Sequence, residues 1–358
     1  MVSLFTFNII KILSAAVFSA VLGFLITPFL LKYLNKIEFW KKTTREKTIT
    51  GEKAEVILSL GKENRIPRGG GVIIWFSVLI TVVVYFLISK IEAIWWLELF
   101  NFFSRRETLL PLFTLLTGSL IGLVDDFLTV YGKGKYVGEG MSFKRRFIIV
   151  TIIGLIGGWW FYYKLEWRTI HIPLIFNFPE GIEVDIGIFY IPLFVLVMLS
   201  SWAGGVVDGL DGLAGGVFGT IFGALAIIAF NQGKTDLATF CAAILGSLFP
   251  FLWFNIPPAR FYMGETGVLG LTTTMTVIAF LTDSVLVLPI IAGILVIEVG
   301  SIILQLLSKK IRKKKIWLAT PIHHHFQAKG WPPYKITMRF WILSIFFAFL
   351  GLIIKLLS

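Results

Sequence analysis

Five carboxylates stand where apolar stretches of this chain end: Asp125 and Asp126 after 109–124, Asp208 and Asp211 after 188–207, and Glu265 after 237–254. An acid at the centre of a bilayer costs about 2.5–3.5 kcal/mol on insertion scales. A chain that spends acids repeatedly at span ends is building an ionic site at one surface. The adjacent pair Asp125-Asp126 has two uses. It could hold Mg²⁺, which prefers oxygen ligands and shares its shell with water and substrate phosphates. Alternatively, one carboxylate could act as a general base, because paired acids push their proton affinities apart. The bland alternative is a solvated, helix-ending acid pair. In Asp208-Gly-Leu-Asp-Gly212 the glycines let a ligand approach the backbone, and two acids three residues apart can share a face.

The segment Trp253-Phe-Asn-Ile-Pro-Pro-Ala-Arg-Phe-Tyr-Met-Gly-Glu-Thr-Gly267 adds Asn255 and Glu265 as oxygen ligands. It also offers Arg260 as a phosphate fork and Phe261 or Tyr262 as an aromatic face for a base. His323-His324-His325 follows a strongly basic loop; neighbouring imidazoles diverge, so hydrogen bonding to phosphate suits them better than one zinc. Pro67-Arg68-Gly-Gly-Gly71 reads either as an anion-binding helix start or as a flexible turn. Gly215 and Gly216 suggest close helix packing. Glu298 lies inside a span, where it either pairs with a polar group or marks a helix break.

These residues must be positioned by membrane helices. The chain has 358 residues, is 56% hydrophobic and only 15% charged, with a mean hydropathy of +0.84. That is too apolar for a soluble protein of this length. Ten apolar spans can be read: 9–31, 71–89, 109–124, 147–163, 188–207, 213–230, 237–254, 267–281, 285–307 and 336–354. Most can cross about 30 Å of hydrocarbon as helices; 109–124 and 267–281 are short and fit a thick protein wall or the border of a cavity. The expected fold class is an all-α polytopic membrane protein of about ten transmembrane helices, forming one membrane domain over 1–358. With the N-terminus outside, the inner segments carry 24 of the 33 Lys and Arg and the outer ones 8. That asymmetry obeys the positive-inside rule and puts both termini outside. The inner loops are then 32–70, 125–146, 208–212, 255–266 and 308–335, and all five acids share that face.

The net charge of +12 serves topology and attraction to anionic membrane lipids, and it also suits a basic vestibule for an anionic substrate. Nothing resembles a nucleic-acid-binding module. The single Cys241 lies within a span, which excludes disulfides and cysteine metal sites. Residues 164–187 alternate β-branched and polar residues around Pro179-Glu180-Gly181, which predicts a small outer β-hairpin. Trp95, Trp96, Trp159, Trp160 and Trp167 read as an aromatic belt at the outer interface.

Taken in order, the motifs Ile121-Gly-Leu-Val-Asp-Asp126, Asp208-Gly-Leu-Asp-Gly-Leu-Ala214, Trp253-Phe-Asn255, Met263-Gly-Glu-Thr-Gly267 and Pro321-Ile-His-His-His-Phe326 carry a resemblance. The chain resembles the polyprenyl-phosphate N-acetylhexosamine-1-phosphate transferases. Within them it looks most like the phospho-N-acetylmuramoyl-pentapeptide transferase (MraY) family. The resemblance covers nearly the whole chain and implies a bacterial inner-membrane enzyme with its active site on the cytoplasmic face. The implied reaction moves phospho-MurNAc-pentapeptide from UDP-MurNAc-pentapeptide to undecaprenyl phosphate, giving lipid I and UMP, with Mg²⁺ as cofactor and a homodimer as the assembly.

By position, the resemblance makes Asp125 and Asp126 the acid pair that activates the lipid phosphate, with Asp211 in the same catalytic cleft. It places Asp208 and Gly209 at the uridine and gives Asn255 and His323, His324 and His325 to the diphosphate. Glu265, with Asp126, becomes the metal ligand where the family usually has Asp. Lys62, Arg68, Lys144, Arg146, Arg260, Phe261 and Tyr262 complete the expected substrate contacts. Pro67-Arg68-Gly69 leans toward the sugar-1-phosphate branch, whose donor would be UDP-GlcNAc. An ion-coupled transporter is disfavoured, because only Glu298 lies well inside a span.

Overall fold

The structure is a computed structural model that describes residues 3–40, 65–92, 94–105, 107–132, 140–173 and 181–358. Twelve α-helices run through the described residues. They are α1 (Leu4–Lys36), α2 (Val72–Ile88), α3 (Leu109–Tyr131), α4 (Phe143–Trp159), α5 (Tyr190–Ala203), α6 (Leu213–Asn231) and α7 (Thr235–Asn255), then α8 (Gly264–Leu281), α9 (Leu288–Ile291), α10 (Gly293–Arg312), α11 (Ile322–Ala328) and α12 (Pro333–Leu356). Every predicted span holds a helix. Eight are long and apolar enough to cross a bilayer, and Val72–Ile88 is a shorter apolar helix. Residues 285–307 form a broken element, α9 then α10, interrupted at Ala292. The fold is an all-α polytopic membrane protein.

The outer faces need an apolar solvent. Phe29 is 76% exposed, Ile342 67% and Ile311 75%, each on a different helix; in water such faces would aggregate. The opposite holds at the centre, where α8 is almost wholly buried. Its Thr272, Thr273 and Thr276 hydroxyls donate to carbonyls four residues earlier, so they need no outside partner. The shortness of 267–281 is thus explained by a helix walled in by protein.

Small residues set the closest crossings. A Cβ on Gly246 of α7 would lie 2.0 Å from the Ala16 carbonyl of α1, and one on Gly23 would lie 2.3 Å from Pro250. A Cβ on Gly216 would lie 2.0 Å from Trp341 Nε1, so Gly215 and Gly216 pack helices as expected.

At one end of the bundle Lys11 pairs with Asp236 at 2.7 Å, and Glu107 accepts the Leu237 N–H. The predicted hairpin sits there too, as β1 (Thr169–Ile172) paired antiparallel with β2 (Ile182–Asp185); Pro179 and Glu180 lie outside the described residues. The first turns of α1 and the last turn of α12, with Lys355 beside Asp283, reach this same end. All five acids gather at the other end, where they meet the segments 65–71, 140–146 and 313–332.

Candidate active site

Helix α3 does not stop at the acid pair. The sequence suggested a helix end after Val124, but α3 continues to Tyr131 and buries Asp125 and Asp126 on its last turns. What brings them to α8 is a run of small residues. A Cβ on Gly122 would lie 2.1 Å from the Glu265 carbonyl, and one on Gly270 would lie 2.0 Å from Ser119 Oγ. Thr266 Oγ1 donates to the Ser119 carbonyl at 2.9 Å. At this distance the Asp126 carboxylate accepts the N–H groups of Glu265 (3.1 Å) and Thr266 (3.0 Å). Asp126 thus caps the first turn of α8 from another helix, where orphan N–H groups and the helix dipole favour an anion. Gly264, at φ +72°, leaves the space: a Cβ there would lie 2.4 Å from Asp126 Oδ2.

Arg146, in the first turn of α4, joins the other two acids. Its Nη2 lies 2.7 Å from Asp125 Oδ2 and its Nη1 2.7 Å from Glu265 Oε1. The Met141 N–H donates to Asp125 Oδ1, and Thr129 Oγ1 donates to the Asp125 carbonyl. On the far side Arg68 Nε stands 3.8 Å from Asp126 Oδ1. Asp208 accepts the Gly264 N–H at 3.3 Å. Burial raises its pKa to about 6, against the opposing charge of Arg68. Because this carboxyl binds its proton more tightly folded than unfolded, its ionisation lowers stability from pH 4 up to about 6. A cation bound beside it would offset that loss.

Several expected ligand contacts turn out to be internal scaffolding. Asn255 is buried, with Oδ1 accepting from Gly212 N–H (2.9 Å) and Nδ2 donating to the Phe261 carbonyl (2.7 Å), so its amide ties two loops together. The expectation for Phe261 is corrected: its ring is fully buried, packed on Phe251 and filling the space above Gly70. The anion-binding reading of 67–71 is also corrected. The Gly70 and Gly71 N–H groups donate to the carbonyls of Tyr262 and Met263, leaving neither for an anion.

Asp211 accepts the Ala259 N–H, while its carbonyl takes the Thr337 hydroxyl. Burial raises its pKa despite that N–H. Tyr262 is half-buried on the same loop, Arg260 is exposed over the Phe254 ring, and Lys144 is exposed on α4. Lys62 lies outside the described residues.

The rings of His323 and His324 lie 4.2 Å apart at their centroids, and each of the three histidines bonds a different partner. His323 Nδ1 is 3.0 Å from Glu298 Oε2, both side chains fully buried, which answers what Glu298 does. Its Nε2 points at Gly209, where a Cβ would lie 2.4 Å away, and has no hydrogen-bond partner among the described residues. His324 bonds Gln327, and burial lowers its pKa to about 4, so it is neutral at pH 7. His325 Nδ1 accepts the Leu318 N–H.

The family model of glycosyl transferase family 4 matches residues 108–283, the stretch from α3 through α8 that holds all five acids. The phospho-N-acetylmuramoyl-pentapeptide-transferase of Anoxybacillus flavithermus is 32% identical over 94% of this chain and 97% of its own length. The enzyme of the same name from Bacillus subtilis is 33% identical over the same shares. That of Borreliella burgdorferi is 31% identical over 94% of this chain and 93% of its own length. The chain belongs to the phospho-N-acetylmuramoyl-pentapeptide-transferase family.

For this family member the pairing that sequence reasoning missed is Arg146 with both Asp125 and Glu265. The signal available was the small-residue spacing Gly118-Ser119-Gly122, which marks α3 as a close-packing helix. Asp125, Arg146, Glu265 and Trp202 also line one small cavity. The acids near it, Asp125, Asp126, Asp208 and Glu265, offer hard carboxylate oxygens, the donor type Mg²⁺ takes, but their ligand atoms do not converge on one point among the described residues. The Arg146 guanidinium between Asp125 and Glu265 shows that the pair attracts a cation.

Proposed function

We propose that this protein transfers phospho-MurNAc-pentapeptide from UDP-MurNAc-pentapeptide to undecaprenyl phosphate, releasing UMP and forming lipid I at the cytoplasmic face of the bacterial inner membrane. The observation that carries the reading is the convergence of Asp125, Asp126, Asp208 and Glu265 with Arg68 and Arg146 at one end of a membrane bundle. The orientation rests on the 24-to-8 bias of Lys and Arg toward that end.

In the reaction a lipid phosphate oxygen forms a bond to the sugar-bearing phosphorus, and the bond from that phosphorus to the bridging oxygen of the diphosphate breaks, leaving with UMP. Glu265 and Asp126, drawn together on binding, would hold Mg²⁺, which would supply charge neutralisation for the departing phosphate. Arg68 and Arg146 bring positive charge to the same end as the acids, where it would favour a phosphate-bearing substrate. His323, held by Glu298 at Nδ1, presents Nε2 to a group bound over Gly209. The Asp125 carboxylate would accept the proton that a lipid phosphate gives up as its oxygen attacks, so that the proton passes to Asp125 and the phosphate oxygen becomes the nucleophile.

The test is UMP release by purified protein with undecaprenyl phosphate and Mg²⁺, comparing UDP-MurNAc-pentapeptide with UDP-GlcNAc. Release with the pentapeptide alone, abolished by EDTA, is expected; release only with UDP-GlcNAc would move the protein to the sugar-transferring branch. The metal role of Glu265 has its own check. Glu265→Asp should keep Mg²⁺-dependent release, whereas Glu265→Gln should lose it. Full activity in the Gln variant would remove Glu265 from the metal site.

A further inference from the structure

A second cluster of ligating groups lies at the opposite end of the bundle, far from the acids described above. His171 and Glu183 are directly paired across the β1–β2 ladder, so their side chains project from the same face of the hairpin. His171 Nδ1 lies 3.2 Å from Glu183 Oε1. Asp283, just past the end of α8 and at φ +50°, stands under them, and its Oδ1 accepts the His171 backbone N–H at 3.3 Å. One ligand atom from each of His171, Glu183 and Asp283 falls within 4.8 Å of the other two. Among the described residues no other His, Cys, Asp or Glu group converges in this way.

We propose that His171, Glu183 and Asp283 bind a divalent transition-metal ion, best matched by Zn²⁺, and that the ion fastens the hairpin to the end of α8. One imidazole and two carboxylates make a borderline donor set that suits zinc over Mg²⁺ or Ca²⁺. Zinc bonds of about 2.0–2.2 Å require the three donors to draw together by roughly 1 Å. The cluster is half-exposed through Glu183, which leaves room for a water as the fourth ligand.

The imidazole is held for this task. Its Nε2 is buried against Gly181, whose φ of +75° and missing Cβ make the space, so Nδ1 is the nitrogen turned toward the acids. The cations facing Asp283 are Lys234 and Lys355. Lys234 Nζ donates to the Leu281 carbonyl and Gln232 Oε1, which leaves Lys355 as the principal competitor of the metal.

The experiment uses the full chain in detergent, stripped by chelator, equilibrated with low-micromolar ZnCl₂ in excess Mg²⁺, and assayed for bound zinc and for Tm. Excess Mg²⁺ keeps the hard-oxygen site at the other end filled. One zinc per chain and a raised Tm are expected. The zinc should be lost in His171→Ala and held about tenfold or more weakly in Glu183→Gln. Unchanged zinc content in a folded His171→Ala protein would overturn the proposal, as would absence of zinc from the wild type. Should His171→Ala not fold, the Glu183→Gln variant decides, since the Glu183 side chain is 55% exposed and its replacement should leave the fold intact. Unchanged zinc affinity there would equally overturn the site.

Discussion

Asp126→Asn should give a folded protein that releases UMP about 10²–10³-fold more slowly than the wild type. The carboxylate does two things at once. It accepts the Glu265 and Thr266 N–H groups at the start of α8, and its charge faces Arg68 across 3.8 Å. An asparagine keeps one oxygen for the cap but loses the second acceptor and the charge, at a cost of about 1–2 kcal/mol to the fold. Size-exclusion profile and Tm report the capping loss, and UMP release reports the chemical one. If the variant turned over at near-normal rate with a lowered Tm, Asp126 would be a structural cap only, and the proton-handling role would pass to Asp125 alone.

Gly122→Ala should be the more damaging change, although it adds a single methyl group to a residue with no chemistry. The new Cβ would lie 2.1 Å from the Glu265 carbonyl oxygen, 2.4 Å from its carbon and 2.7 Å from the Thr266 nitrogen. All three are backbone atoms, so no side chain can turn aside. Helix α3 must move away from α8, which costs about 1–3 kcal/mol as overpacking. The shift also separates Asp126 from the N–H groups it caps and Asp125 from the Arg146–Glu265 bridge. A displacement of about 1 Å at reacting groups costs on the order of 10²-fold in rate, so UMP release should fall at least that far. Gly219→Ala is the matched control. A Cβ there meets only Leu245 and Leu248 side-chain carbons at 3.6 and 4.0 Å, ordinary contact distances. It should be neutral or slightly stabilising, as alanine is in a helix. Equal loss in both variants would show that general helix packing, and not the α3–α8 approach, is being read.

The two predictions rest on different kinds of information. The importance of Asp126 was legible in the sequence, since its acid pair shares one face with three further acids at span ends, a grouping a solvated helix end does not explain. The importance of Gly122 was not, because a glycine in an apolar helix is ambiguous until its neighbour is known. The same division runs through the site. Asn255, Phe261 and Gly70 looked like ligand-facing groups in a loop rich in polar and aromatic residues. The fold uses them to lock segments 67–71, 204–212 and 255–263 to one another. His323, His324 and His325 are neighbours in sequence, yet on α11 their side chains turn to Glu298, Gln327 and Leu318 in turn.

The sequence by itself determined the membrane class, the ten helical segments, the hairpin over 164–187 and the end of the bundle to which the acids belong. Those features follow from local quantities: the length of apolar runs against the bilayer thickness, the period-two alternation of a strand, and the count of Lys and Arg between spans. Only the tertiary structure decided which charges meet. Arg146 reaches Glu265 across 119 residues, Asp126 caps Thr266 across 140, and His323 pairs with Glu298 inside the protein. Such contacts depend on how closely two helices cross, which is set by the side-chain volume on both facing surfaces together. No single stretch of sequence contains that sum; for α3 and α8 it is fixed where Gly122 lies against Glu265.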